Sequence, residues 1–254
     1  MGVLTDLVTA LRAGAVTVID LTAPLGEDTP VIALPPDHGQ PWAFRREQIS
    51  RYDAAGRDVY WNNVALSEHT GTHFDAPVHW LSGRDLDDVS QVPPGRLVGP
   101  AAVLDFSAQA AASPDFLLTR EHVEQWQDRN GPLPPGGWLL YRTGWDSRRD
   151  STEKFLNGGH SPGVAPECAR WLAEQTPIAG IGTETVGTDA GPASQAGEPP
   201  FPCHWYFQGA GKYGLTQLQN LALLPPLGAV LMAAPLPIVG GSGSPARILA
   251  LVER

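Results

Sequence analysis

The chain has little cysteine, little charge, few basic residues and no long apolar run. Cys168 and Cys203 are its two cysteines among 254 residues. Two thiols so far apart form neither a disulfide framework nor a zinc-ligand pattern, so two buried or partly buried thiols are expected. Charged residues make up 17% and hydrophobic ones 42%, which excludes a disordered, charge-rich chain and supplies a core. Lys and Arg number 17 against 27 Asp and Glu, a net charge of −10. A phosphate backbone or an anionic membrane would repel such a chain. No apolar run approaches the roughly 18 residues of a membrane span. The opening "MGVLTDLVTALRAG" carries Asp6 and lacks the basic start of a secretory signal. A soluble cytoplasmic protein with no nucleic-acid or membrane partner is expected. One further absence is local: no Asp or Glu stands between Glu198 and Glu253.

What the chain has is glycine and proline, 28 and 25 of them, which implies many turns. Segments 16–22, 97–106, 136–145, 178–187, 228–236 and 246–252 read as strands, and 62–73 begins as one. Val3, Leu4, Leu7, Val8 and Leu11 fall at helical spacing, so a short amphipathic helix is expected there. "TREHVEQWQDR" (119–129) reads as a helix capped by Thr119. His122 stands where a capping box wants Glu or Gln, so the box reads as incomplete. "APECARWLAEQ" (165–175) is a helix opened by Pro166. Segment 214–224 reads as helical or irregular. Strands dominate, with three clear helices and no linker. The expectation is a single α/β or α+β domain over 1–254, with mixed sheets and few helices.

Three of the seven histidines fall in "EHTGTHFDAPVHW" (68–80), around an aspartate. Gly71 weakens a helix, Pro77 breaks one, and Thr70 and Thr72 are β-branched, so the segment is a strand end running into a loop. On an extended backbone His73 and Asp75 point to the same side. A glycine at 71 lets the chain turn back and bring His69 alongside. Two imidazoles and a carboxylate leave coordination positions open, which suits a catalytic metal site. His79, fixed by Pro77, is left over as a general base. The spacing is not the H-E-x-x-H of zinc peptidases.

Other signals are weaker. "GAGKYG" (209–214) fits G-x-G-x-x-G in form, but no acidic residue follows about 20 positions on and no βαβ unit begins there. "GGSGSP" (240–245) lacks the last glycine of a nucleophile elbow. His38 and His122 are expected at the surface, and His160 in a plain loop. Trp80 and Trp61 flank the cluster, and Trp205, Tyr206 and Phe207 follow His204. They are candidates for an aromatic pocket, with Phe44 and Trp42 in a loop above it.

"HTGTHFDAPVH" matches H-x-G-T-H-x-D-x-P-x-H at each fixed position, and so resembles the metal-dependent cyclase-like hydrolases, which include kynurenine formamidases and isatin hydrolases. "IDLTAPLGEDTPV" (19–31) looks like the family's opening strand and turn. "IGTETVGTDAG" (181–191) resembles a second family segment, with Glu184 for its first Asp and Gly187 for its Ser. The stretch from "PPFPCHW" onward looks like the isatin-hydrolase branch. The resemblance covers roughly 16–254. It implies a swivelling β/β/α fold, assembled as a homodimer or higher oligomer.

By that resemblance His69, His73 and Asp75 bind the metal and His79 is the base. A second ion in the formamidases uses another His and a Glu in an "E-x-L" stretch. Here His204 stands where that His is expected, and "QNL" (219–221) replaces the Glu stretch. With no acid between Glu198 and Glu253, one divalent ion, Mn²⁺ or Zn²⁺, is expected. Gln219 or Gln217 could offer it an amide oxygen. The implied reaction is hydrolysis of a small cyclic or N-acyl aromatic amide, isatin to isatinate first. N-formylkynurenine cleavage, or a non-hydrolytic cyclase or lyase reaction on the same scaffold, is the alternative.

Overall fold

A computed structural model describes residues 2–195 and 197–254. Twelve strands form in chain order: β1 (Val16–Asp20), β2 (Arg45–Asp53), β3 (Gly56–Ala65), β4 (His73–Asp75), β5 (Val98–Asp105), β6 (Leu117–Leu118), β7 (Trp138–Arg142), β8 (Gly163–Val164), β9 (Gly180–Thr183), β10 (Tyr213–Thr216), β11 (Ala229–Pro235) and β12 (Gly243–Glu253). The α-helices are α1 (Val3–Ala13), α2 (Ser107–Ala112), α3 (Arg120–Asn130), α4 (Thr152–Leu156), α5 (Pro166–Gln175) and α6 (Pro202–Gly209).

One sheet of eight strands runs β1-β12-β11-β5-β7-β9-β10-β4. Strand β12 also pairs with β4 through Gly243–Pro245, so the sheet closes on itself with β1 as an added outer strand. Its centre, β5, β7, β9 and β10, is parallel; the rest is antiparallel. This is the expected mixed α/β architecture with few helices.

The period of two along each strand divides the core. Val103, Trp138, Leu140, Leu215, Leu231, Ile248 and Phe74 fill the inside of the closed sheet. Leu104, Leu139, Tyr141 and Ile181 point outward, under Val123 and Trp126 of α3, Cys168 and Leu172 of α5, and Phe207 of α6. Each such large side chain, fully buried, contributes about 1.5–3 kcal/mol. Both thiols are free and buried, as expected.

Three expectations need correction. Segment 214–224 begins as strand β10, because Tyr213–Thr216 is drawn between β9 and β4, and only then becomes irregular. The capping box of α3 is complete: Thr119 Oγ1 accepts from the His122 amide, and His122 Nδ1 accepts from the Thr119 amide. An imidazole nitrogen does there what a carboxylate usually does. His122 is accordingly half-buried against Phe106 and Phe116 rather than free at the surface. Beyond the three clear helices, α2, α4 and α6 form, each of eight residues or fewer and too short to show a period. His38 and His160 are exposed, His160 paired with Asp115. Among the described residues, no helix is long and apolar enough to cross a membrane.

Candidate metal centre

Strand β4 is three residues long and carries the centre. Phe74 turns into the inner core, so His73 and Asp75 point the other way. The chain reaches β4 through a turn at Gly71, where φ is +67°; a Cβ there would meet Leu25 and Thr29 at 3.1 and 3.3 Å. That turn brings His69 back so that its Nδ1 lies 2.9 Å from Asp75 Oδ1. His73 Nε2 lies 3.3 Å from the same oxygen. After β4, Pro77 opens a short 3-10 turn that places the His79 ring flat against His69, centroids 4.0 Å apart. One donor atom each from His69, Asp75 and His79 falls within 4.8 Å of the others.

The strand register leaves room for this. Asp75 stands opposite Gly214 of β10 on one side and Gly243 of β12 on the other. A Cβ on Gly214 would lie 2.6 Å from Asp75 Oδ2, and one on Gly243 would lie 2.7 Å from the His69 ring. Larger residues at either position would push the carboxylate or the imidazole out of place.

Hydrogen bonding assigns the imidazole protons. His73 Nδ1 donates to the Gly71 carbonyl at 2.7 Å, so its Nε2 is a free acceptor facing Asp75. Thr216 Oγ1 sits against the same ring. Burial would raise the Asp75 pKa, but His73, His69 and His79 outweigh it and hold the carboxyl well below its usual range. Asp75 Oδ2 is buried without a hydrogen-bond partner. A buried anion with a partnerless oxygen and converging imidazole nitrogens is costly unless a cation is present, and the N,O donor set suits a divalent ion. The residues therefore fit a metal.

His204, at the start of α6, reaches the centre from the far side. Its Nε2 is 3.9 Å from Asp75 Oδ2, and its Nδ1 donates to Asp189. Burial works against its charged form, but that bond and the Asp189 charge prevail and raise its pKa. Asp189 also accepts from the Cys203 and His204 amides, fixing the helix start. In the sequence, the signal for Asp189 is its segment, "IGTETVGTDAG" (181–191). Trp80 packs on His204 at 4.7 Å and on Phe201 at 5.5 Å between centroids.

Trp61 and Gln219 are placed away from this cluster. Trp61 is exposed on the β2–β3 ribbon, and the aromatic pairs at the centre do not include it. The Gln219 amide bonds to the Leu218 carbonyl. Gln217 is the buried one: its carbonyl accepts from Thr72 and its side-chain Oε1 has no partner. Trp205 offers its carbonyl to Ser82, and the Trp42 carbonyl ties the 30–44 loop to Ser67 and Thr70.

A family model described as putative cyclase matches residues 19–190. The chain belongs to this cyclase family. Within it, the chain is 43% identical to an isatin hydrolase of Roseibium aggregatum, over 99% of this chain and 97% of that protein. It is 30% identical to a kynurenine formamidase of Salinibacter ruber, over 81% and 84% of the two chains. The solved isatin hydrolase A from Ralstonia solanacearum superposes with a TM-score of 0.96, at 45% identity, covering 100% of this chain and 98% of that one. The eleven-residue span from His69 to His79, with strand β4 inside it, lies within the matched family region.

Proposed function

We propose that this cyclase-family chain is a metal-dependent hydrolase that opens a cyclic aromatic amide, with isatin to isatinate as the leading reaction. One observation carries the reading: His69 Nδ1 and His73 Nε2 converge on Asp75 Oδ1, with His79 clustered beside His69 and Asp75, in a chain 43% identical to an isatin hydrolase over nearly its full length. His69, His73 and Asp75 would hold one divalent ion, Mn²⁺ or Zn²⁺. When bound, such an ion polarises a carbonyl oxygen and acidifies water.

The chain's own part is proton transfer and orientation. Burial lowers the His79 pKa to about 3, so the imidazole is unprotonated at neutral pH. The Asp75 charge opposes that shift and stabilises the imidazolium once a proton arrives. His79 takes a proton from the attacking water and returns it to the ring nitrogen as the lactam C–N bond breaks. Water oxygen ends in the new carboxylate and the nitrogen leaves as an amine. Trp80, with Phe201 beside it, offers a flat ring for stacking the substrate.

Mixing isatin with protein and Mn²⁺ should remove the isatin absorbance. N-formylkynurenine is the second reading, supported by the Salinibacter ruber relative. Turnover of N-formylkynurenine with none of isatin would reverse the ranking. Metal analysis should give close to one ion per chain, because no acid stands between Glu198 and Glu253 to supply a second ion's carboxylate. Two ions per chain would refute the single-ion assignment. The reading also takes residues 1–254 as one catalytic domain. It sets the enzyme in the cytoplasm, in keeping with two free buried thiols, and pairs it with a second copy of itself.

A further inference from the structure

The "GGSGSP" stretch has no nucleophile role, yet it lies against the metal centre. Ser242 Oγ is 2.8 Å from His69 Nε2 and 2.7 Å from Glu68 Oε2. The Ser242 amide donates to the same Glu68 oxygen at 2.9 Å. A Cβ on Gly241 would lie 3.0 Å from Glu68 Oε1, and one on Gly243 would press on the His69 ring. The loop at the start of β12 thus seats a carboxylate, a hydroxyl and an imidazole in a row, with small residues on both sides of the serine.

A serine hydroxyl has one proton, and a carboxylate only accepts. Ser242 therefore gives its proton to Glu68, and its lone pair is left for His69. His69 must then carry its proton on Nε2. Its Nδ1 lone pair then faces Asp75 Oδ1 at 2.9 Å, an arrangement that a bound cation would make favourable. The reverse arrangement would set the serine lone pair against the Glu68 carboxylate at 2.7 Å. We propose that Glu68 and Ser242 are positioning residues that lock His69 in the Nε2–H tautomer, aim its Nδ1 at the metal, and raise its donor strength through the Glu68 charge. The same logic already holds for His73, whose outer partner is the Gly71 carbonyl. Such outer partners typically change metal affinity 10–100-fold.

This inference rests on the metal reading above, and the test separates the two. Mn²⁺ or Zn²⁺ binding is titrated calorimetrically for the wild type, Ser242→Ala, Ser242→Thr and Glu68→Ala. The histidine tautomers of the Zn²⁺-loaded and metal-free proteins are read by ¹⁵N NMR, and folding is checked by circular dichroism. The wild type should show His69 as Nε2–H. Ser242→Ala and Glu68→Ala should lose that tautomer's dominance and bind metal about 10–100-fold more weakly. Ser242→Thr, which keeps the hydroxyl, should restore both. Unchanged tautomer and affinity in folded Ser242→Ala and Glu68→Ala would overturn the proposal. So would a loss of stability with the tautomer retained. A wild type that binds no metal would instead sink the reading on which the proposal rests.

Discussion

At the scale of single residues the centre divides into holding and proton transfer, and substitution separates them. His79 shares the 4.8 Å cluster with His69 and Asp75, so distance alone fits either role. Its ring stacks on His69 and makes no hydrogen bond among the described residues, whereas His69, His73 and His204 each have an outer partner. Metal ligands usually have such partners, and this supports the proposed assignment of His79 as the base. His79→Ala should keep its metal and lose about 10²–10⁴ of turnover. Asp75→Ala should lose metal and turnover together. If His79→Ala comes off a desalting column without metal, His79 is a ligand and the division of roles is wrong. Asp189→Asn tests the far side: its one oxygen can still accept from the Cys203 amide, but an NH2 in place of Oδ2 cannot accept from the His204 amide or from His204 Nδ1, so the bond that orients His204 is lost.

At the scale of elements, the centre depends on which strands lie beside β4. Gly214→Ala would put a methyl 2.6 Å from Asp75 Oδ2, so carboxylate or strand must move. Metal affinity should fall about 10-fold or more while the fold persists, which calorimetry and circular dichroism together would show. The sequence made the cluster legible because His69, His73, Asp75 and His79 are local, and Gly71 and Pro77 mark the bends. It left Gly214 and Gly243 silent, because their role exists only through register with a strand some 140–170 residues away, a span fixed by pairing and not by pattern. Asp189 carries only the weak signal of its segment, because it meets His204 across the start of a helix too short to announce itself. Glu184 shows a related element-level join. It is fully buried at the end of β9 and accepts from the Thr143 amide and hydroxyl and the Trp145 amide, tying β9 to the end of β7. Burial, helped by Asp146, raises its pKa from 4.5 to about 7, against the pull of those donors. The native state then holds a proton between pH 4.5 and 7 that the unfolded chain has released. Stability should fall as pH rises through that window, by on the order of 3 kcal/mol, and level off above it. Glu184→Gln should flatten the fall; urea midpoints at pH 5 and pH 7.5 that drop equally in both proteins would rule it out.

At the scale of the whole molecule, the closed sheet is covered on one side only. Helices α3, α5 and α6 pack over the parallel strands, but the outer face of β1, β12, β11 and β5 stays open. Register makes that face continuous. Val18, Leu251, Val230 and Pro100 stand side by side across four strands, and Leu249, Met232 and Val98 form the next row. Val18, Val98, Val230 and Met232 are 37–49% exposed, while their alternates Leu231, Ile248 and Ala250 are buried inside. Strand β1 is also an open edge. Helix α1 precedes it and buries none of its residues, so Val3, Leu4 and Val8, the stripe that promised an amphipathic helix, face outward too. An uncovered apolar wall and an uncovered apolar helix in one chain are what a two-fold pair of copies can bury at once, each helix or wall meeting its equivalent. A chain of net charge −10 repels its own copies, and burial of an apolar patch of this kind would offset that repulsion. Val230→Lys with Met232→Lys places two charges in the middle of the wall without touching the inner core or the metal centre. By light scattering the wild type should be a dimer or larger and this double variant a monomer, with its circular dichroism unchanged. A monomeric wild type at micromolar concentration would overturn the pairing, and a double variant that stays oligomeric would move the interface elsewhere, the β2–β3 ribbon with its exposed Tyr52, Tyr60 and Trp61 being the next surface to charge.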